Sequence, residues 1–141
     1  MQPHCHFEFV ADWRDAPMAY WVHVETDSQP WYVAAQFAPS APKVVPGKGF
    51  AMLCVEVGDF VFRFTSPEQI AVCIDVLARN PLPNVQRLSA GRSAHAGPNG
   101  HWLSRLPASV KNPRARGKVV AALAEAQVWA GNRGFGHAIS I

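Results

Sequence analysis

The sequence predicts an α+β fold, in which about five antiparallel strands form one sheet and two or more helices pack on one face. Three observations support this prediction. Strand-like segments fill residues 1–65, a clearly capped helix follows at once, and a last helix comes after a loop-rich stretch. Strands joined by short turns are antiparallel, and helices segregated from them indicate the α+β class.

The strand prediction rests on segments that alternate apolar and polar residues or are rich in aromatic and β-branched residues. Residues 27–30 predict a turn between the second and third strands. Gly58-Asp59 predicts a two-residue hairpin turn between the last two, because glycine tolerates a positive φ. Phe60, Phe62 and Phe64 then fall on one face of the fifth strand. The five predicted strands are residues 6–10, 19–25, 31–37, 50–57 and 60–65.

The first helix is marked by its capping residues. Ser66 is a good N-cap, Pro67 suits the first helical position, and Gln69 completes a capping box. Asn80-Pro81 ends the helix, since the residue before a proline disfavours the helical conformation. Its predicted buried stripe is Ile70, Cys73, Ile74 and Leu77.

The last helix begins at Asn112-Pro113 and is predicted to run to about Ala130. Arg114 and Lys118 are four residues apart, so they share a solvent-facing side. Before it, residues 85–100 read as a loop and residues 101–106 as one helical turn. After it, residues 131–141 read as a glycine-rich tail, either a strand or an arm. Its predicted apolar side is Val119, Val120, Leu123 and Val128.

Length and composition predict one domain over residues 1–141: a β-rich acidic part (1–65), a helical and loop-rich basic part (66–130) and the tail. Hydrophobic residues make up 49% and charged residues 16%, which argues against intrinsic disorder. No apolar run is long enough to span a membrane, and the first residues lack a secretory signal pattern, so we expect a cytoplasmic protein with no membrane partner.

The three cysteines are too few and too far apart for a disulfide framework or a zinc knuckle. Cys54 and Cys73 lie in apolar segments and are predicted to be reduced core residues. No cofactor-binding fingerprint is present, because the glycines near Arg92 and Arg133 match neither a P-loop nor a dinucleotide motif. We therefore expect no cofactor.

Charge is distributed unevenly along the chain. Residues 1–75 hold nine acids and four bases, a balance of −5. Residues 76–124 hold eight bases and no acid, a balance of +8, and the rest of the chain cancels, giving the net charge of +3. Such asymmetry indicates a partner for the basic part.

The functional hypothesis is that the basic segment of residues 87–118 binds the phosphates of DNA or RNA in a non-enzymatic protein. Glycines and serines between the cations let a backbone approach phosphate, and the rings of His95, His101 and Trp102 are expected to stack on bases. The alternative is a solvated basic surface, with arginines paired to the N-terminal acids and with Trp102, Leu103 and Leu106 in the core. The predicted binding residues are Arg87, Arg92, Arg105, Lys111, Arg114, Arg116, Lys118, His101 and Trp102.

A second hypothesis uses the acidic part: a small protein with one acidic and one basic face can mimic a charged partner or insert into a protein complex. Exposed Trp13, Trp21 and Trp31 would be the anchors, because aromatic residues dominate interface energetics. The alternative for each tryptophan is ordinary core packing.

Two histidine arrangements suggest chemistry. His95 and His101, with Arg105 nearby, would allow acid–base catalysis on a phosphodiester, but no local carboxylate orients either ring. His4, His6 and Glu8 would share one face of a strand, where three metal ligands are geometrically feasible. A polar strand face explains the same pattern, so the sequence assigns no metal site and no catalytic residue.

One group of segments carries a resemblance to known proteins: residues 62–64, 66–69, 73–77, 81–83, 87–90 and 97–107. With these segments the chain resembles small proteins that are carried by proteobacterial plasmids, phages and integrative conjugative elements. The resemblance covers about a third of the chain and leaves out the first 60 residues. It implies a setting rather than an activity: accessory proteins of mobile elements often bind nucleic acid or block a host defence complex. In this setting the second hypothesis becomes inhibition of a bacterial defence system through contact with a host protein complex, as anti-CRISPR proteins do.

Overall fold

The computed structural model describes residues 3–89, 92 and 101–139, which form an α+β fold. The strands are β1 (His4–Val10), β2 (Val24–Glu25), β3 (Phe37–Ala38), β4 (Phe50–Val57) and β5 (Phe60–Phe64). The helices are α1 (Ala19–Val22), α2 (Pro67–Ala78), α3 (Val85–Leu88), α4 (Ala108–Lys111) and α5 (Pro113–Gly131). Two 3-10 turns, Trp13–Asp15 and Trp102–Arg105, complete the described elements.

The main sheet has three antiparallel strands in the order β1-β4-β5. The β4–β5 hairpin turns at Gly58, whose φ is 62°, as the sequence predicts. β1 pairs with the other edge of β4, and in this long-range register His4 lies opposite Glu56 and His6 opposite Cys54.

The predicted single five-stranded sheet is wrong, because β2 and β3 form a separate two-stranded sheet. Residues 19–25 are a helical turn followed by a two-residue strand, and residues 31–34 form a turn rather than a strand. The backbone N–H groups of Val22 and His23 donate to the carbonyl oxygens of Met18 and Ala19, each at 3.0 Å, which is the pattern of a helical turn. Tertiary packing supports this turn, because it buries Ala19 and Val22 in two different hydrophobic clusters. Aromatic and β-branched composition is a weak guide here, since it reflects packing as much as backbone preference.

The main core lies between the three-stranded sheet and the helices α2 and α5. Leu53 and Val55 from β4, Phe64 from β5 and Leu123 from α5 are each at most 1% exposed. A smaller core on the opposite face of the sheet collects Trp13, Phe37, Met52 and Cys54 with three alanines. This second core covers only part of that face and leaves the polar side chains of β1 exposed.

Helix α2 begins as predicted: the Ser66 Oγ accepts a hydrogen bond from the Gln69 N–H at 3.3 Å, and Pro67 follows the cap. The predicted capping box is modified, because the Gln69 Oε1 accepts from the Thr65 N–H instead of the Ser66 N–H. Cys73 is buried, so its predicted core position is confirmed, as it is for Cys54.

Helix α5 is the longest element, and its predicted apolar side is partly corrected. Val119 and Leu123 are buried and Val120 is half-buried, but Val128 is 63% exposed. After α5 the described tail forms turns rather than a strand, and Phe135 packs on Phe7 with ring centroids 5.5 Å apart.

The predicted loop over residues 85–100 begins as a helical turn, α3, which Asn84 caps by accepting from the Gln86 N–H. Residues 90–91 and 93–100, with His95, lie outside the described residues, as do residues 1–2 and 140–141. None of the described helices combines the length and apolar character needed to cross a bilayer.

Candidate nucleic-acid interface

The structure separates the predicted binding residues by exposure. Arg87, Arg105, Arg114 and Lys118 are exposed, and Lys111 is half-buried. The other four, Arg92, Arg116, His101 and Trp102, have side chains largely removed from solvent.

Arg92 is held by the acidic part of the chain. Its Nη1 donates to the Glu25 carboxylate at 2.9 Å, and its guanidinium lies 3.9 Å from the Tyr20 ring centroid. Its side chain is only 9% exposed and is ion-paired, which counts against its predicted role as a phosphate contact. The alternative, an arginine paired with an N-terminal acid, describes Arg92 correctly.

His101 and Trp102 are core residues rather than stacking platforms. They are 3% and 4% exposed, and the His101 ring lies 4.6 Å from that of Trp21. The His101 Nδ1 accepts a hydrogen bond from the Leu103 N–H at 3.1 Å, which caps the 3-10 turn. Burial lowers the pKa of His101 to about 4, so the ring is neutral at pH 7. Buried and already capping a turn, His101 is not placed for the predicted acid–base role.

The start of α5 brings exposed cations together. The Asn112 Oδ1 caps the helix by accepting from the Ala115 N–H at 2.8 Å, and Pro113 occupies the first turn. Arg114 and Lys118 lie one turn apart and line one open surface depression with these three residues. Lys111 immediately precedes the cap at the end of α4.

Arg116 lies on the other side of the same helical turns. It is 9% exposed and lines a groove between the end of α2 and the start of α5, with Asn80 and Gly117 among its neighbours. It forms no ion pair with a described acid. Its charge therefore adds to the potential at the start of α5, although its side chain is not free to wrap a partner.

The electrostatics at this end of α5 favour an anion. A helix N-terminus carries a partial positive charge, and acids in the first turn normally balance it. α5 has no acid in its first turn and carries Arg114, Arg116 and Lys118 close to its start. Among the described residues, Arg114, Lys118 and Lys111 have no ion-pair partner. The arrangement costs helix stability and leaves positive charge exposed.

Arg87 and Arg105 do not belong to this cluster on the geometry described. Arg87 is an exposed residue of the short helix α3. Arg105 lines a small cavity beside the edge strand β5, together with Arg63 and Trp102. That cavity holds about 190 Å³, less than a typical small-molecule site.

No protein-family model, curated protein or solved structure matches this chain.

A buried serine–histidine pair is the arrangement that the sequence analysis missed. The His23 Nε2 lies 2.8 Å from the Ser66 Oγ, and its Nδ1 lies 2.9 Å from the Pro39 carbonyl oxygen. Both side chains are at most 1% exposed, so a substrate does not reach them. The pair joins α1, the loop after β3 and the cap of α2, and 43 residues separate its members, so no local pattern could have revealed it.

The predicted tryptophan anchors belong to the fold. Trp13 is 4% exposed, and Trp21 and Trp31 are half-buried. The Trp31 Nε1 donates to the His23 carbonyl, and its ring packs against Trp13 and Tyr20. The core alternative is confirmed for Trp13.

Proposed function

We propose that the protein binds the phosphate backbone of nucleic acid through the basic end of α5, defined as Lys111, Arg114 and Lys118. The observation that supports the proposal is that these cations surround an uncompensated helix N-terminus and are not neutralised by described acids. Lys and Arg that neutralise phosphates supply most of the affinity of sequence-independent binding.

The spacing of the cations suits a strand of phosphates. Arg114 and Lys118 differ in height by about 6 Å along the helix axis. Successive phosphates of one DNA strand rise by about 3.4 Å. Two cations one helical turn apart can therefore contact neighbouring phosphates of one strand, with Asn112 and the first turn of α5 close to the same anions.

Binding at this surface depends on the phosphate backbone of the nucleic acid and not on its base sequence. His101 and Trp102, two of the three rings expected to stack on bases, are buried, and the third, His95, lies outside the described residues. Contacts to phosphate position a protein on nucleic acid and carry no sequence information. We therefore propose weak, salt-sensitive, sequence-independent binding to DNA or RNA, which suits an accessory protein of a mobile element.

One observation favours a second candidate, inhibition of a host defence complex by protein contact. Tyr32 is 74% and Val33 59% exposed at the tip of a loop. The Asp27 carboxylate accepts from the Ala35 and Gln36 N–H groups across the base of this loop, so it is ordered before any partner arrives. A preordered loop that displays tyrosine is typical of protein-contact surfaces. Capture of a purified nuclease complex that Tyr32→Ala abolishes would support this candidate, and capture of none would count against it.

The test of the first candidate measures fluorescence anisotropy of labelled 20-nucleotide single-stranded and duplex probes at low salt. The variant is Arg114→Gln/Lys118→Gln. The matched control is Lys43→Gln/Lys48→Gln, which removes the same charge from the loop between β3 and β4.

Of the two control residues, Lys48 lies far from the basic end, and Lys43 belongs to the same loop between β3 and β4. Trp129 packs on Phe7 at 5.4 Å, and Glu125 and Cys5 line one depression, so the start of α5 extends beyond the start of β1. Lys48 contacts Phe9, toward the other end of that strand. We expect the Arg114/Lys118 variant to bind at least about tenfold more weakly than the control, from the loss of two phosphate contacts. Equal binding by both variants would refute the proposal.

A further inference from the structure

Three potential metal donors of different chemistry meet on the exposed face of the main sheet. The His6 Nε2 lies 2.9 Å from the Glu8 Oε2, and these atoms and the Cys54 Sγ all lie within 4.8 Å of one another. His6 and Glu8 are about half-exposed, whereas Cys54 lies beneath them with no exposed surface. Solvent therefore reaches the cluster from above.

The sheet holds the three residues in place. His6 and Glu8 are two apart on β1 and so point to the same face. Cys54 is the residue of β4 paired directly with His6, and Met52 is paired with Glu8. Directly opposed residues of an antiparallel pair have Cβ atoms about 5 Å apart. A metal bound here would be coordinated from two adjacent strands of a rigid element.

We propose that His6, Glu8 and Cys54 form a binding site for a divalent metal ion of the Zn²⁺ type. Imidazole nitrogen, carboxylate oxygen and thiolate sulfur are the three donors that Zn²⁺ takes in proteins, at about 2.0 to 2.3 Å. Small rotations of the three side chains would bring their donor atoms, now within 4.8 Å of one another, to these distances from a single ion. Three protein ligands leave one tetrahedral position for water, which the exposure above His6 and Glu8 supplies.

The neighbouring charges set the affinity. His4 and Glu56 form the next cross-strand pair on the same face, and both are exposed. Arg63 of β5 is paired with Cys54 from the other side. Glu56 and Glu8 attract a cation, whereas Arg63 opposes one. We therefore expect binding that is weaker than that of a closed four-ligand zinc site.

Binding exchanges protons for the metal. Burial, followed by the nearby Glu8 carboxylate, raises the pKa of Cys54 to about 11, so the free thiol is protonated at neutral pH. The His6 side chain lowers the pKa of Glu8, so this carboxylate is already ionised. Formation of the metal–sulfur bond releases the thiol proton to solvent, and the His6–Glu8 hydrogen bond is replaced by two metal bonds.

The test uses the reduced full chain and two probes. Zn²⁺ is titrated by calorimetry, and Co²⁺ is titrated by absorption, because a thiolate ligand gives cobalt a sulfur-to-metal charge-transfer band. The variants are Cys54→Ala and Glu8→Gln, and the matched control is Cys5→Ser. Cys5 is on β1, the strand of His6 and Glu8, but its side chain packs toward the main core. Circular dichroism establishes that each variant is folded.

We expect one metal ion per chain, with affinity reduced at least about tenfold in both variants and little changed in the control. The charge-transfer band should be present in the wild type and the control and absent from Cys54→Ala. Should Cys54→Ala fail to fold, Glu8→Gln, which alters an exposed side chain, still decides the matter. Absence of the band from the wild type would overturn the proposal. Metal binding that survives both variants would assign a different site and also overturn it.

Discussion

The buried ring of His101 makes the stability of the fold depend on pH. Burial lowers its pKa from 6.5 to about 4, so between these values the unfolded chain takes up a proton that the folded chain does not. Stability therefore rises with pH across this window and is lost as the pH falls. Each pKa unit is worth about 1.4 kcal/mol, so the full effect is about 3 to 4 kcal/mol below pH 4.

Between pH 5 and 6.5 the effect of His101 protonation on stability can be measured apart from the effect of the carboxyl groups. The carboxyls of Glu8, Glu25 and Asp27 have lowered pKa values, so they lose their contribution only below their ordinary values of 4.5 and 3.8. For a shift from 6.5 to about 4, linkage gives a loss of about 2 kcal/mol between pH 7.5 and pH 5.

The assay is urea unfolding at pH 7.5 and pH 5.0, followed by far-ultraviolet circular dichroism rather than fluorescence, because Trp21 lies against the His101 ring. The comparison variant is His101→Asn, whose amide oxygen can still accept the Leu103 N–H but does not titrate in this range. We expect the wild type to lose about 2 kcal/mol more than the variant between the two pH values. Equal losses would refute the assignment of a buried, neutral ring.

Three further predictions concern stability and are read from urea unfolding at pH 7.5. Ser66→Ala removes the cap of α2 and the partner of His23, so it should cost about 2 kcal/mol; a loss below 0.5 kcal/mol would show that the pair is not formed. Leu53→Ala truncates a fully buried side chain and should cost about 2 to 5 kcal/mol; a smaller effect would contradict its place in the core. In Gly117→Ala the added Cβ meets no atom within 4 Å inside helix α5, so the variant should be more stable than the wild type by about 0.5 to 1 kcal/mol. In Gly58→Ala the new side chain is held at a φ of 62°, so the variant should be less stable by about 1 kcal/mol. A stability change of the same sign in both variants would contradict the backbone conformations of these two glycines.

The sequence predicted the elements whose signals are local. The start of α2 at Ser66-Pro67, the start of α5 at Asn112-Pro113 and the hairpin at Gly58 each depend on two or three adjacent residues, and the structure confirms all three. Caps and tight turns act through hydrogen bonds and φ angles of neighbouring residues, so no distant part of the chain is needed to specify them.

The incorrect predictions concern segments whose structure depends on contacts between residues that are far apart in the sequence. Residues 19–25 have strand composition, yet α1 packs into the core as a helical turn. Amino-acid composition indicates that a segment will be buried, but it does not indicate whether the buried segment is a helix or a strand. The separation of β2 and β3 from the main sheet follows from the same cause.

In the candidate sites, too, the sequence predicted what depends on neighbouring residues and missed what depends on distant ones. Arg114 and Lys118 share the exposed side of α5, as helical spacing predicts. Arg92 belongs to the same basic segment, but its partner Glu25 is 67 residues away, so charge counting could not exclude it. Likewise, His6 and Glu8 were recognisable on one strand face, whereas Cys54 joins them only through the β1–β4 register.

The salt dependence of nucleic-acid binding tests the central proposal most directly, because it counts the phosphates that the protein neutralises. Three contacts at the basic end of α5 predict that the logarithm of the duplex binding constant falls with the logarithm of salt concentration with a slope of about −2.7. Arg114→Gln/Lys118→Gln should bring this slope to about −0.9, while Lys43→Gln/Lys48→Gln leaves it unchanged. A wild-type slope near zero, or the same slope in the wild type and the Arg114/Lys118 variant, would contradict the account.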